Sequence, residues 1–295
     1  MNHIDVAWCR DHRAKPLVAG GVLLLASGVL HLGIYLCLQG PWEGAVSWRK
    51  PILFGISAGL TSISMGWVWS NLSKYHSDSF LSWATALALV VEVGLIDLQQ
   101  WRGVPSHFNR TTTLDSYIYD VMGILILGVT AVILILTVRS FTNKVTQPTP
   151  MVIAMQSGLV YLSISCILGV LINLSGDLRV QEGLLPERYG QAGVPKFPHG
   201  VVIHALQWLP AIAWLAAKAK FGMSVQRQMS IVASVATGLL LIYASIVTLL
   251  GRARFDAPIP LAIVFYVAVL LFVSLSAVIV VGLLKQKLNP TKNLL

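Results

Sequence analysis

Long apolar stretches alternate with short polar ones along almost the whole chain. A helix that crosses a bilayer needs about 20 mostly apolar residues, and eight segments of the sequence meet this requirement. They are residues 17–39, 51–71, 79–98, 117–138, 151–174, 199–219, 229–250 and 259–284. The stretches are too long and alternate too little for the strands of a membrane barrel. We therefore predict an all-α fold, a polytopic transmembrane bundle of about eight helices forming a single transmembrane domain over residues 1–295.

The amino-acid composition indicates a protein surrounded by lipid and not by water. Of the 295 residues, 56% are hydrophobic and only 11% are charged, whereas soluble domains carry about 25% charged residues. The net charge is +9, but the basic residues lie in short loops and form no run interleaved with aromatic residues. This placement suits contact with lipid head groups and argues against nucleic-acid binding. The cysteines Cys9, Cys37 and Cys166 are too far apart to indicate a disulfide framework or a zinc knuckle.

The basic residues also predict an orientation for the bundle. The N-terminus, the loops after spans 2, 4 and 6, and the C-terminus hold 12 Lys and Arg residues, and the other loops hold nine. Because cytoplasmic loops carry the excess of Lys and Arg, both termini are predicted to be cytoplasmic. The other loops would then be extracytoplasmic, and most of the unusual polar residues lie in or near them.

The third predicted span contains two carboxylates, Glu92 and Asp97. Ionisable groups at hydrocarbon depth are costly and are functional-site candidates. Glu92 shares a helix face with Gln99, and Asp97 shares another with Trp101. The candidate cationic partners on the same side are Arg49, Lys50 and Arg102. Two interpretations remain open, a site that handles protons or a cationic substrate, and a structural ion pair between helices 2 and 3.

Four histidines are candidates for metal or haem ligation: His31, His107, His199 and His204. The two in the sixth span are five residues apart, which places them about 140° apart around a helix. They therefore do not form the two-ligand face of a helical zinc motif, and no haem-attachment motif is present. The alternatives to ligation are hydrogen-bonded contacts between helices and acid–base chemistry. In the same span His204 and Gln207 share a face.

Three segments carry a resemblance to a known family. Residues 102–109 read Arg-Gly-Val-Pro-Ser-His-Phe-Asn, residues 176–179 read Gly-Asp-Leu-Arg, and residues 204–210 read His-Ala-Leu-Gln-Trp-Leu-Pro. Together with Lys50-Pro51, they resemble the signatures of a family of bacterial multi-pass membrane proteins that has no assigned function. The resemblance covers roughly residues 45–215 and implies a location in the plasma (inner) membrane. In the family pattern a His-Phe pair follows Gly-Asp-Leu-Arg almost directly, whereas here residues 181–197 intervene and Gly200 follows His199.

These observations predict a one-sided polar pocket that opens to the extracytoplasmic side, lined by helices 1, 2, 3, 5 and 6. Its candidate catalytic residues are Glu92, Asp97, His107 and His204. Its candidate substrate-binding residues are Lys50, Arg102, Asn109, Asp177, Arg179 and Gln207.

Three functions fit such a pocket. The first is a membrane-embedded enzyme or redox/metal protein, with haem or metal as a candidate cofactor, that acts on a lipid-soluble or periplasmic small molecule. The second is a proton-coupled small-molecule transporter, and the third is a non-catalytic membrane scaffold. A transporter should carry polar residues through to the cytoplasmic side, and the sequence there leads us to expect a dry half of the bundle.

Overall fold

A computed structural model describes residues 7–288 of the chain. The contacts divide the chain into two compact units. Unit 1 comprises Met1–Thr146 and Gly176–Gln181, and unit 2 comprises Gln147–Ser175 and Glu182–Leu295.

Unit 1 contains four long helices after a short 3-10 helix at Ala7–Arg10. The bounds are Lys15–Leu38 for α1, Arg49–Ser70 for α2, Asp78–Trp101 for α3 and Thr113–Thr142 for α4. Pro16 lies in the first turn of α1, where its missing N–H group costs no helical hydrogen bond. The last residues of α5, which begins in unit 2, also belong to this unit.

Unit 2 contains the remaining helices. Their bounds are Thr149–Gln181 for α5, Lys196–Val202 for α6, Ala205–Lys218 for α7, Met223–Leu249 for α8 and Ile259–Leu288 for α9. The core of the unit is built from small and aliphatic residues of α7, α8 and α9, among them Ala213, Ala216, Ala233 and Leu275. Small side chains allow helices to approach closely where lipid supplies no hydrophobic driving force.

The predicted all-α membrane bundle is confirmed in its main features. Over residues 7–288, eight segments are helical, long and apolar enough to cross a membrane, with α6 and α7 together forming one of them. Two details differ from the sequence prediction. The fifth helix continues to Gln181, so Asp177 and Arg179 lie on a helix and not in the predicted loop. The sixth span is interrupted at Ile203 and His204, between α6 and α7.

Helices α1 and α2 pack antiparallel through glycines. A Cβ atom on Gly28 would lie 2.9 Å from the backbone nitrogen of Ile56, and one on Gly55 would lie 2.8 Å from the backbone nitrogen of Gly28. Such backbone approach requires glycine on both helices. This close packing holds α1 against α2. Helix α1 also contacts α3 within unit 1.

Candidate functional site

A buried polar face follows α3 from end to end. Asp78, Thr85, Glu92 and Gln99 are spaced by sevens and are all buried, and Ser82 lies one turn after Asp78 on the same side. Seven residues make about two helical turns, so these side chains share one face. At about 1.5 Å per residue the face from Asp78 to Gln99 is about 31 Å long, which equals the thickness of a bilayer's hydrocarbon core, about 30 Å.

At the first end of this face, Asp78 lies between two arginines. Arg139 approaches it with Nη1 at 2.6 Å from Oδ1, and Arg13 with Nη1 at 3.3 Å from Oδ2. Arg13 is itself buried and also pairs with Asp11 at 2.8 Å. Burial alone would raise the pKa of Asp11, but the hydrogen bonds and charge of Arg13 hold that pKa below its ordinary value. Unit 1 therefore contains buried charged groups, joined in ion pairs, at the end of α3 that the sequence assigned to the cytoplasmic side.

Glu92 lies near the middle of α3 and is only 6% exposed. Within residues 7–288 no hydrogen-bond donor or cation meets its carboxyl group. The basic residues that the sequence offered as partners bind elsewhere. Arg49 lies 3.7 Å from Glu43, Lys50 donates to the carbonyl oxygen of Ala45 at 2.5 Å, and Arg102 pairs with Asp115.

At the other end of the face, Gln99 belongs to a network around Asp115. The carboxylate oxygen Oδ1 of Asp115 accepts from Nε2 of Gln99 at 3.0 Å and from Nη1 of Arg102 at 2.7 Å. Thr112 caps α4 by accepting from the backbone N–H of Asp115 at 3.1 Å, and its hydroxyl donates back to the carboxylate at 2.6 Å. Sequence reasoning missed Asp115 as a structural partner, although a Thr-x-x-acid spacing at a helix start is the available signal.

A second polar cluster lies beside this end, on the face of α3 that carries Asp97. Ser27 of α1 donates to Oδ2 of Asp97 at 2.8 Å. Nδ1 of His31 lies 2.9 Å from the carbonyl oxygen of Ser27 and 4.0 Å from Oδ2 of Asp97. Trp101 donates its Nε1–H to Nε2 of His31 at 3.1 Å. The predicted site residue Asp97 thus joins the metal candidate His31 and not a cationic side chain.

These contacts fix the orientation of the His31 ring. The indole N–H of Trp101 can only donate, so Nε2 of His31 is its acceptor. Nδ1 of His31 faces the Ser27 carbonyl. Both ring nitrogens are therefore used in contacts within unit 1.

The loop after α3 is held by its own polar side chains. Nδ2 of Asn109 donates to the Pro105 carbonyl at 3.0 Å, and its Oδ1 accepts from the Thr111 hydroxyl at 2.7 Å. His107 lies 2.9 Å from the Ser106 hydroxyl, and its ring centroid is 5.5 Å from that of Phe54. Asn109 and His107 therefore shape the loop in which the sequence predicted them to act on a substrate.

The end of α5 reaches this loop through Arg110. Arg110 lies 3.0 Å from Asp120 and 3.5 Å from Asp177. The hydrogen bond to Asp120 comes first among the causes that raise the pKa of Arg110, and the charge of Asp177 adds to it. Arg179 lies in the last turn of α5, in the segment that belongs to unit 1.

Unit 2 holds the other predicted site residues. His199 is bound to Ser165, whose hydroxyl donates to the His199 carbonyl at 3.0 Å and whose carbonyl lies 2.8 Å from Nδ1 of His199. His204 stands at the interruption between α6 and α7 and interacts with Gln207. A cleft of about 490 Å³ in this unit is lined by residues 189–192, 249–252 and 256, none of them a predicted site residue.

The candidate metal ligands do not converge. Over the described range, no three His, Cys, Asp or Glu side chains meet in a group that could hold a metal ion. His31 uses both ring nitrogens in contacts with the protein, and His199 uses Nδ1 on Ser165. The haem prediction, which needs a single axial ligand, stays a prediction.

A comparison of the carboxylates sets two of them apart. In residues 7–288 an Arg or Lys nitrogen lies within 4 Å of eight carboxylates. These are Asp11, Glu43, Asp78, Asp115, Asp120, Asp177, Glu187 and Asp256. Inside the helices of unit 1, Glu92 and Asp97 are the two that lack such a partner.

Comparison with protein-family models, curated protein sequences and solved structures returns no match for this chain.

Proposed function

We propose that the protein is a proton-coupled small-molecule transporter in which Glu92 and Asp97 carry the protons. The observation that carries the proposal is the buried polar face of α3, which is as long as the hydrocarbon core is thick and has Glu92 near its middle. A carboxylate that no Arg or Lys neutralises in such surroundings is neutralised by a proton. Toward the two ends of the span, the next polar side chains of this face are Thr85 and Gln99, each about 10 Å along the helix from Glu92.

The decisive test asks whether the Glu92 proton exchanges with bulk water. Infrared difference spectra of the lipid-reconstituted protein on transfer from H₂O to D₂O should contain the shift of a protonated carboxyl band. We expect Glu92→Gln to lose the Glu92 component of that shift and to keep the component from Asp97. Identical spectra for the two proteins would contradict the proposal and favour the scaffold interpretation.

A second measurement addresses movement of the proton. Proteoliposomes that enclose a pH-sensitive dye should acidify faster than protein-free vesicles under an imposed inward proton gradient, either alone or with a transported solute added. Glu92→Gln should return the rate to that of protein-free vesicles. Asp120→Asn, which removes the same charge from a half-exposed ion pair, is the matched control and should behave as wild type.

An acid–base enzyme is the second candidate, favoured by the contacts among Ser27, His31 and Asp97. Ser27 donates to Asp97 and receives the His31 N–H at its carbonyl, so the hydroxyl is not activated as a nucleophile. Asp97 could still transfer a proton to and from a lipid-soluble substrate. Such an enzyme would not need Glu92. Catalytic activity retained by the Glu92→Gln variant would therefore favour the enzyme over the transporter.

The plasma-membrane location and the cytoplasmic termini belong to the same proposal. Cys9 precedes α1 and Cys37 lies in its last turn, so the two cysteines mark opposite ends of one span. In variants that keep one of them, a membrane-impermeant maleimide should label Cys37 on intact cells and Cys9 only after permeabilisation. The reverse pattern would overturn the proposed orientation.

A further inference from the structure

Asp97 has one satisfied oxygen and one that is not. Oδ2 accepts the hydrogen bond from Ser27 at 2.8 Å. Oδ1 is buried, and no donor in the described part of the chain reaches it. His31 lies 4.0 Å away on the Oδ2 side and does not reach Oδ1. The carboxyl group therefore has an open acceptor and no Arg or Lys partner.

Two indole rings lie against the imidazole of His31, which is 4.0 Å from Oδ2 of Asp97. The ring centroids of His31 and Trp48 are 6.2 Å apart, those of His31 and Trp101 are 6.2 Å apart, and those of Trp48 and Trp101 are 5.3 Å apart. Trp48 is buried, whereas Trp101 is 58% exposed at the last residue of α3. Indole faces attract cations, and an exposed Trp at a span end lies where lipid meets water.

We infer that Asp97, with Trp48 and Trp101, binds the ammonium group of a protonated amine that has an apolar body. This inference rests on the proposed function, because it names the class of solute whose movement is coupled to protons. An ammonium N–H supplies the donor that Oδ1 lacks, its charge balances the carboxylate, and the indole rings contact the apolar body. Trp101 is one turn from Asp97 on the same helix face and is exposed.

Charge conservation gives the exchange a fixed stoichiometry. Without amine, Asp97 holds a proton that neutralises it. When the ammonium ion binds, that proton leaves to water, so one cation enters the site for each proton released. The carboxylate stays neutralised in both states, which is the condition for an intramembrane group to remain stable.

Two compounds that resemble a protonated amine each lack one of its features. A quaternary ammonium ion has the charge but no N–H group, so it cannot satisfy Oδ1. A neutral alcohol of the same shape has a donor but no charge. Benzylammonium, benzyltrimethylammonium and benzyl alcohol therefore form a probe series in which only the first supplies both features.

The test is calorimetric titration of the detergent-purified full chain with these three probes at neutral pH. Benzylammonium should bind and release protons in proportion to the sites filled, as measured in a weakly buffered solution with a pH dye. Asp97→Asn, which keeps an acceptor for Ser27, should weaken binding about tenfold or more, as expected for loss of a charged hydrogen bond. Asp120→Asn should bind like wild type.

A second variant tests whether the site is folded, and specific results would contradict the inference. Ser27→Ala retains the carboxylate and should bind benzylammonium at least as tightly, which shows a folded site even if Asp97→Asn is poorly behaved. Equal affinity of wild type and Asp97→Asn, or equal affinity for benzyl alcohol, would overturn the inference. Proton exchange that depends on Glu92 without amine binding would overturn this inference alone, and amine binding without such exchange would overturn the transporter proposal instead.

Discussion

Asp78 and Glu92 lie two heptads apart on the same buried face of α3, but only Asp78 meets cations. Arg13 and Arg139 both reach the Asp78 carboxylate, at 3.3 Å and 2.6 Å, whereas no basic side chain of residues 7–288 reaches Glu92. One helix face thus carries one carboxylate that pairs with two arginines and one that pairs with no basic side chain.

Substitution of these two acids should have opposite effects on stability. Asp78→Asn leaves two arginines without their shared counter-charge, and loss of one partner from a buried ion pair costs about 3–5 kcal/mol of unfolding free energy. Glu92→Gln removes a buried group that has no partner and should leave the midpoint of thermal unfolding in detergent unchanged or higher. If Glu92→Gln destabilises the protein as much as Asp78→Asn, Glu92 is a structural residue.

The glycine contact between α1 and α2 should be sensitive to a single methyl group. Gly28→Ala places a Cβ atom 2.9 Å from the Ile56 backbone, and overpacking of this kind costs about 1–3 kcal/mol. Gly33→Ala lies on the same helix in open space and should be neutral or stabilising by up to about 1 kcal/mol. Thermal unfolding of the two variants in the same detergent compares them directly, and equal midpoints would argue against close packing of the helices.

The two ion pairs at the start of α4 should differ in strength. Asp115 accepts from Arg102, Gln99 and Thr112, so Asp115→Asn should lower the free energy of unfolding, because hydrogen bonds to a charged group are stronger than neutral ones. Asp120 is 55% exposed in its pair with Arg110, and surface pairs contribute at most about 1 kcal/mol. Chemical unfolding of both variants measures the contrast. An Asp120→Asn variant that loses as much as Asp115→Asn would contradict it.

The N-terminal segment should contribute to the pH dependence of stability through Asp11. Because contact with Arg13 lowers the pKa of Asp11 from its ordinary value of 3.8, the ionised form stabilises the fold. This stabilisation is complete above the ordinary pKa and is lost as the pH falls through the lower value in the folded state. The gap in unfolding midpoint between wild type and Asp11→Asn should therefore be constant from pH 7 to about pH 5 and close below pH 3.8. A gap that widens with acid would mean that the Arg13 contact is absent.

Several features of the site could be predicted from local sequence and several could not. Glu92 and Asp97 stand out in any hydropathy plot, and the seven-residue spacing of Glu92 and Gln99 places them on one face. That spacing also extends back to Asp78, but only the structure shows that this end of the face is buried. Arg139 resembles an ordinary charge near the end of a span, and its partner Asp78 lies 61 positions away along the chain.

The sequence by itself determined that this is a helical membrane protein of about eight spans, because apolar length and the cost of unsatisfied backbone groups in lipid leave no other solution. It also determined which ionisable residues enter the membrane. Only the tertiary structure decided which of them are neutralised by the protein. Ion pairs such as Arg13 with Asp78, and hydrogen bonds such as Ser27 with Asp97, join residues 65 and 70 positions apart. Their formation depends on how helices pack, which periodicity within one span does not encode.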